Sequence, residues 1–229
     1  MSTTSTTDAS PYATHVIRVS AAEAQLLVQR DARYQPLISH FGLLERTVHA
    51  DVYTGLVITI MGQQLSNKAR DGIIAKLPPQ YLTSPEVLHE VCVRSSENGE
   101  RLLPFARTKI STLEQVTARF CSGQWSAAKL QDMTPEQRLA ELCSVKGIGP
   151  WSVNMIEIMV FGDPDCFASG DYGVQQGWAM LTHRNLKKLS KPQLQSSLAR
   201  YARKVSPVGT AATLYLWALK DSAGKLPQS

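Results

Sequence analysis

The chain has 229 residues, 43% of them hydrophobic, and a formal net charge of +5 at neutral pH. That length buries one large core or two small ones in one body, and nothing in the composition suggests a β-rich or fibrous class. The basic excess is compatible with a polyanionic partner and is weak evidence by itself.

Residues 1–18 read as a flexible Ser/Thr-rich tail in preference to a poor transit peptide; they have neither the basic start nor the apolar centre of a secretory signal. Ser20-Ala-Ala-Glu23 then forms a capping box. Helical periodicity follows through Leu26, Leu27, Tyr34, Leu37, Ile38 and Phe41. The run from Asp51 to Met61 is nearly all apolar and too long for an ordinary strand, so it reads as a buried helix. Gly62 to Ser66 breaks it, and Ser66 caps a helix carrying Ala69, Ile73, Ile74 and Leu77.

Residues 78–84 are expected to be a loop, followed by a helix from Pro85, a polar loop over 94–100, a helix over 106–120 and a turn over 121–125. Thr134-Pro135-Glu136-Gln137 combines a cap, a proline at the first helical position and a first-turn acid, a strong helix start. That helix ends near Val145. Gly149-Pro150 opens another, which runs to about Phe161, and two more fit 192–204 and 208–220. The expectation is an all-α fold of ten or eleven helices. Residues 19–229 form one domain of two helical subdomains around a cleft, an outer one holding both chain ends and a middle one.

Several chemistries have no support. Cys92, Cys121, Cys143 and Cys166 are spaced 29, 22 and 23 residues apart, which fits neither a zinc site nor a tight disulfide framework. Reduced thiols suit an intracellular protein, and Cys143 and Cys166 are expected to be buried. The five histidines lack ligand spacing. No segment reaches the roughly 18 apolar residues that span a membrane.

The stretch from Leu142 to Ser152 carries Gly147, Ile148 and Gly149 at a turn between two helices, and Asp171 follows 20 residues after Trp151. Paired glycines allow close approach of a phosphate, because no Cβ intervenes, and a helix start favours an anion. Taken alone, Gly-x-Gly reads first as a plain turn between helices, and without the hairpin Asp171 reads first as the cap of a helix starting near Gly173.

With Phe167-Ala-Ser-Gly-Asp171-Tyr-Gly173 behind it, this unit resembles the helix-hairpin-helix DNA glycosylase superfamily, and within it the 3-methyladenine DNA glycosylase II branch. The resemblance spans about residues 20–220. Gly62 to Ala69 matches the family's Gln-Gln-(apolar)-Ser turn, Arg107-Thr-Lys109 its basic helix start, and Leu214-Tyr-Leu-Trp217 its last helix.

The resemblance implies a compact helix-hairpin-helix glycosylase that hydrolyses the N-glycosidic bond of alkylated purines in duplex DNA, the first step of base excision repair. Asp171 would be the catalytic acid, stabilising positive charge on the sugar and orienting a water. Gly147, Ile148 and Gly149 would hold a phosphate. Trp151 would line the base pocket, stacking on a cationic purine, or pack in the core; Tyr53, Trp125, Trp178 and Trp217 are weaker pocket candidates, each more often core. Gln64 and Leu65 would enter the gap left by a flipped base, and Lys68 and Lys109 would meet phosphates.

No cofactor is implied, except that a Na+ or K+ ion can sit on the hairpin carbonyls of Cys143, Val145 and Ile148. Relatives that also nick the strand carry a lysine where Trp151 stands, so a monofunctional, monomeric enzyme is implied, located in the nucleus or the nucleoid. The rival reading is a non-catalytic helix-hairpin-helix DNA-binding module. The acid at position 171, at the family spacing, argues against it.

Overall fold

The computed structural model describes residues 14–97 and 99–222. Among them it is built of thirteen α-helices, one π-helical turn, one 3-10 turn and a two-stranded sheet. Residues 1–13 of the expected tail lie outside the described residues. The end of that tail is a correction: Thr14–Arg18 forms β1, paired with β2 at Glu45–His49. Both strands alternate more and less exposed residues, a period of two over only five residues.

The described residues form two compact units, one built on Thr47–Met133 and the other on Val16–Arg46 together with the chain from Thr134 onward. In the first unit, α3 (Val52–Gly62) is the apolar run expected from sequence, and nine of its eleven residues are buried. Such a helix is apolar all round because neighbours surround it. Asp51 caps its start, accepting from the Thr54 N–H at 2.7 Å. The Thr54 hydroxyl donates to the Leu82 carbonyl at 2.8 Å.

After α4 (Asn67–Ile74), the expected loop over 78–84 contains a short helix, α5 (Gln80–Thr83). Then α6 (Pro85–Glu97) extends through most of the expected polar loop. Its polar end is held from outside: the Ser96 hydroxyl donates to Glu114, and Arg94 donates to Glu100 at 2.7 Å. It packs on α7 (Arg107–Cys121), and α8 (Ala127–Gln131) follows.

The second unit holds α1 (Ala21–Arg30) and α2 (Tyr34–Phe41) against the C-terminal helices. The capping box at Ser20 is present: its backbone N–H donates to Glu23 at 2.8 Å. A second box at Thr134 opens α9 (Pro135–Cys143). After the hairpin come α10 (Pro150–Ile156) and a π-helical turn over Glu157–Phe161, where one helix was expected. Inside this turn Glu157 accepts two bonds from Arg138 of α9, at 2.6 and 2.7 Å, with both side chains buried. The pair ties the two helices of the hairpin together.

The remaining helices are α11 (Tyr172–Leu181), α12 (Lys191–Val205) and α13 (Gly209–Asp221). α13 is almost wholly buried and packs on α11, α1, α2 and α12. Its Tyr215 hydroxyl donates to the Gly42 carbonyl at 2.7 Å, and the Tyr34 ring meets Tyr215 edge-on.

A buried carboxylate joins α1 to α12. Asp31 accepts from Arg33 at 2.6 and 2.9 Å, from the Tyr201 hydroxyl at 2.8 Å and from Lys204 at 3.1 Å. Burial pushes its pKa up, but the bonds from Arg33, Tyr201 and Lys204 outweigh burial and hold the carboxyl well below its ordinary value of 3.8. A depressed acid stabilises the fold above its unfolded value, and that contribution disappears as pH falls through the folded value. We therefore expect stability to fall progressively below about pH 4. Asp31→Asn should be less stable at pH 7 by about 2 kcal/mol, less than for a wholly buried pair because Arg33 and Lys204 are half exposed. Urea unfolding at pH 7 and pH 3 checks this, since the variant should show the flatter pH dependence.

Candidate active site

Asp171 ends the loop after the π-helical turn. It is the N-cap of α11, its Oδ1 accepting from the Val174 N–H at 2.9 Å. The capping role weighed from sequence is thus present, and two more donors reach the same carboxylate. The Trp217 indole Nε1 of α13 donates to Oδ1 at 2.7 Å, and the Trp151 indole Nε1 of α10 donates to Oδ2 at 3.0 Å. A helix start and two indoles from two further helices therefore fix one carboxylate, and both oxygens are engaged.

The loop carrying Asp171 is itself anchored to α13. The Thr210 hydroxyl accepts from the Cys166 N–H at 3.1 Å, and Thr213 accepts from the Ala168 N–H at 3.2 Å. Asp165 accepts from the Ser206 hydroxyl at 2.6 Å and from the Gly209 N–H at 3.0 Å. Gly173 leaves room for the approach of Trp217: a Cβ there would sit 3.0 Å from both Asp171 Oδ1 and Trp217 Cδ1. The guanidinium of Arg46 lies over the Trp217 ring, 5.1 Å from its centre.

Trp217 reads from sequence as a weaker pocket candidate, more often core; its bond to Asp171 joins residues 46 apart, which no local pattern announces. Trp151 is half-buried, and its ring packs on the core of this unit while its nitrogen faces the acid. Tyr172 beside them is 69% exposed.

The hairpin lies between α9 and α10. Gly147 has φ of 100°, a backbone conformation that suits glycine. Ile148 is buried, its N–H donating to the Val145 carbonyl at 3.0 Å. Gly149 is the N-cap of α10 with Pro150 at the first position, and nothing lies within 4 Å of a Cβ built on it. The space in front of Gly149 is open, as an approaching backbone phosphate requires. An alanine there fits the free protein. On the phosphate-holding role that the resemblance implies, Gly149→Ala should keep the melting temperature yet lower affinity for damaged and undamaged duplex alike, about tenfold, because phosphate contacts carry no sequence information. Fluorescence anisotropy on the two duplexes checks this; a loss confined to damaged DNA contradicts it.

The other residues singled out from sequence belong to the first unit. Gln64 has φ of 61°, and Gln64 and Leu65 are exposed at the tip of the turn after α3. Lys68 is exposed on α4. Lys109 is occupied differently: its amine donates to the Met61 carbonyl at 2.9 Å and the Gln63 carbonyl at 3.1 Å, capping α3 and shaping that turn. Burial lowers its pKa. Tyr53 is buried, its hydroxyl donating to the Tyr81 and Ser84 carbonyls at 3.2 Å and its ring edge-on to Phe120. The structure gives Tyr53 a packing role.

Among the described residues the four cysteines are unbridged. Burial pushes the Cys92 thiol up to about 12 and raises that of Cys166. Cys143, expected to be buried, is half-buried. No group of three or more metal-ligating side chains occurs among the described residues, and no helix there is long and apolar enough to cross a membrane.

No family model matches the chain. It is 25% identical over 171 residues to DNA-3-methyladenine glycosylase 1 of Schizosaccharomyces pombe, covering 72% of this chain and 71% of that protein. It is 28% identical over 184 residues to the DNA-3-methyladenine glycosylase of Saccharomyces cerevisiae, covering 75% of this chain and 58% of that longer protein. Among solved structures, the S. pombe 3-methyladenine DNA glycosylase in complex with abasic DNA superposes with a TM-score of 0.76 at 21% identity, covering 90% of this chain and 99% of that one.

The fold is that of the DNA glycosylases. In sequence the chain is similar to proteins named DNA-3-methyladenine glycosylase.

Proposed function

We propose that this protein is a monofunctional DNA glycosylase of the 3-methyladenine type II kind, releasing alkylated purines from duplex DNA by hydrolysis. The observation that carries the reading is the carboxylate of Asp171, held by Val174, Trp217 and Trp151 within 3.0 Å. Fixed donors cost no reorganisation when charge develops nearby. As the glycosidic bond breaks, positive charge grows on the sugar; Asp171 stabilises it and orients the water that attacks. The similarity to proteins named DNA-3-methyladenine glycosylase supports alkylated bases as the substrate class.

In this reading the Gly147–Gly149 hairpin grips a phosphate, a Na+ or K+ ion on the carbonyls of Cys143, Val145 and Ile148 would steady it, and Gln64 and Leu65 fill the gap left by the extruded base. The working enzyme is a monomer inside the cell, wherever the DNA is. The alternative, a non-catalytic DNA-binding module, is disfavoured by the two indoles, since a simple helix cap needs neither.

A purine alkylated at N3 or N7 is cationic and already a good leaving group, and the Trp151 ring suits it by cation–π attraction. Trp151 offers no amine for a Schiff base with the sugar. The strand should stay intact, with an abasic site that only later alkali cleaves, and borohydride should trap no protein–DNA adduct. Cationic 3-methyladenine should leave faster than neutral ethenoadenine. A trapped adduct contradicts the monofunctional mechanism, and faster release of the neutral lesion shows that pocket contacts outweigh leaving-group charge.

A further inference from the structure

The two oxygens of Asp171 are not equivalent. A carboxylate oxygen offers two acceptor positions. Oδ1 has both filled, by the Val174 N–H at 2.9 Å and the Trp217 Nε1–H at 2.7 Å. Among the described residues Oδ2 accepts from the Trp151 Nε1–H at 3.0 Å, which leaves one position on it. The lone pair that can face a developing cation, or take a proton from water, is therefore on Oδ2.

That division depends on where the Trp217 indole stands. Its pyrrole edge lies against α11, where a Cβ on Gly173 would be 3.0 Å from Cδ1 and 3.3 Å from Nε1. Its face carries the guanidinium of Arg46, 5.1 Å from the ring centre. Arg46 is half-buried on β2, and the chain leading to it is tied down. The Tyr215 hydroxyl of α13 donates to the Gly42 carbonyl at 2.7 Å, and the Val19 N–H donates to the Leu44 carbonyl at 2.9 Å. The neighbouring acid on the strand, Glu45, is taken by Arg18 at 2.7 Å. A cation over an indole face is attracted by the ring and draws electron density from it. The N–H becomes a stronger donor to the carboxylate, as in any polarised chain of bonds.

We propose that Arg46 is a positioning residue for the reaction at Asp171: through Trp217 it keeps Oδ1 saturated and leaves Oδ2 as the oxygen that meets the sugar and the attacking water. The proposal rests on the glycosylase reading above. Asp171 also acts on Lys220, which Asp221 holds at 2.8 Å on α13, and Tyr172 follows Asp171 on α11. All of these groups stay unchanged in the variants that test the idea.

The full-length protein is compared with Arg46→Gln, Arg46→Lys and Trp217→Phe, the last keeping an aromatic ring and removing the donor. Single-turnover release of 7-methylguanine is followed across about pH 5 to 8, beside duplex affinity and melting temperature. This base is already cationic and needs no proton to leave, so the acid limb of the rate reports the carboxylate. Trp217→Phe should release base about tenfold more slowly, and Arg46→Gln about threefold more slowly, both at unchanged duplex affinity. Weakening a donor to the charged form raises an acid's pKa, so the acid limb of both should move to higher pH. Arg46→Lys keeps a cation over the ring and should recover most of the rate and the limb. The indole proton resonance that disappears in Trp217→Phe should titrate with Asp171 and shift in Arg46→Gln. A wild-type rate and acid limb in Arg46→Gln overturn the proposal. So does a loss confined to duplex affinity, which makes Arg46 a phosphate contact. A slower rate with an unmoved limb and no rescue by lysine also overturns it, because packing alone then explains the loss. If the wild type releases no base, the glycosylase reading itself has failed; the hold of Arg46 on Trp217 is then judged by the indole resonance, and one indifferent to Arg46→Gln overturns it.

Discussion

Asp171→Asn should reduce base release by about 10³-fold while leaving duplex binding within several-fold, because the substitution removes the charge and keeps the shape. Asparagine caps helices about as well as aspartate, so the Val174 bond survives. The indoles are the difficulty. If the amide oxygen stays on Val174 and Trp217, its NH2 faces the Trp151 N–H, donor against donor. One anchor is lost, and about 1–2 kcal/mol of stability with it. Single-turnover release on a methylated duplex, beside anisotropy on the same duplex, separates chemistry from binding. A variant that cleaves at close to the wild-type rate would remove Asp171 from the mechanism.

The second large effect is expected at Gly177. A Cβ there would lie 2.2 Å from the Leu216 carbonyl oxygen and 2.8 Å from its carbon. Both are backbone atoms, so no rotamer change relieves the overlap, and α11 and α13 must part. Overpacking of this kind costs about 3 kcal/mol, which for a chain of this size lowers the melting temperature by about 6–12 °C. The damage reaches the site, because α11 begins at Asp171 and α13 carries Trp217. Gly177→Ala should therefore lose base release beyond what unfolding explains. Gly72→Ala in α4 is the control: nothing lies within 4 Å of its added Cβ, and an exposed helical alanine should stabilise by about 0.5–1 kcal/mol. If Gly177→Ala melts like the wild type, the close helix crossing is wrong.

What the sequence made legible, and what it hid, follows from the range of each interaction. The caps at Ser20, Ser66 and Thr134 and the apolar run of α3 are local, and the structure has them where the residues place them. The 20-residue step from Trp151 to Asp171 points to the site because the family motif encodes it. Trp217 lies 46 residues from Asp171, and only packing of α13 on α11 brings them together. Lys109 and Tyr53 show the reverse: both side chains are occupied by carbonyls of their own unit, an arrangement that residue type does not announce. Strand β1 escaped notice because five alternating residues after a polar tail carry too little signal, and α6 outran its predicted end because Glu114 and Glu100 hold its polar residues.

The decisive question is whether the clamped carboxylate does chemistry. The direct measurement is chromatographic detection of free base after incubation of the wild-type protein with duplex DNA carrying 3-methyladenine and 7-methylguanine. Free methylated purine should be released in proportion to enzyme and time, with abasic sites left in uncut strands. Tight binding to the same duplex with no free base released would contradict the catalytic reading and leave a DNA-binding module in its place.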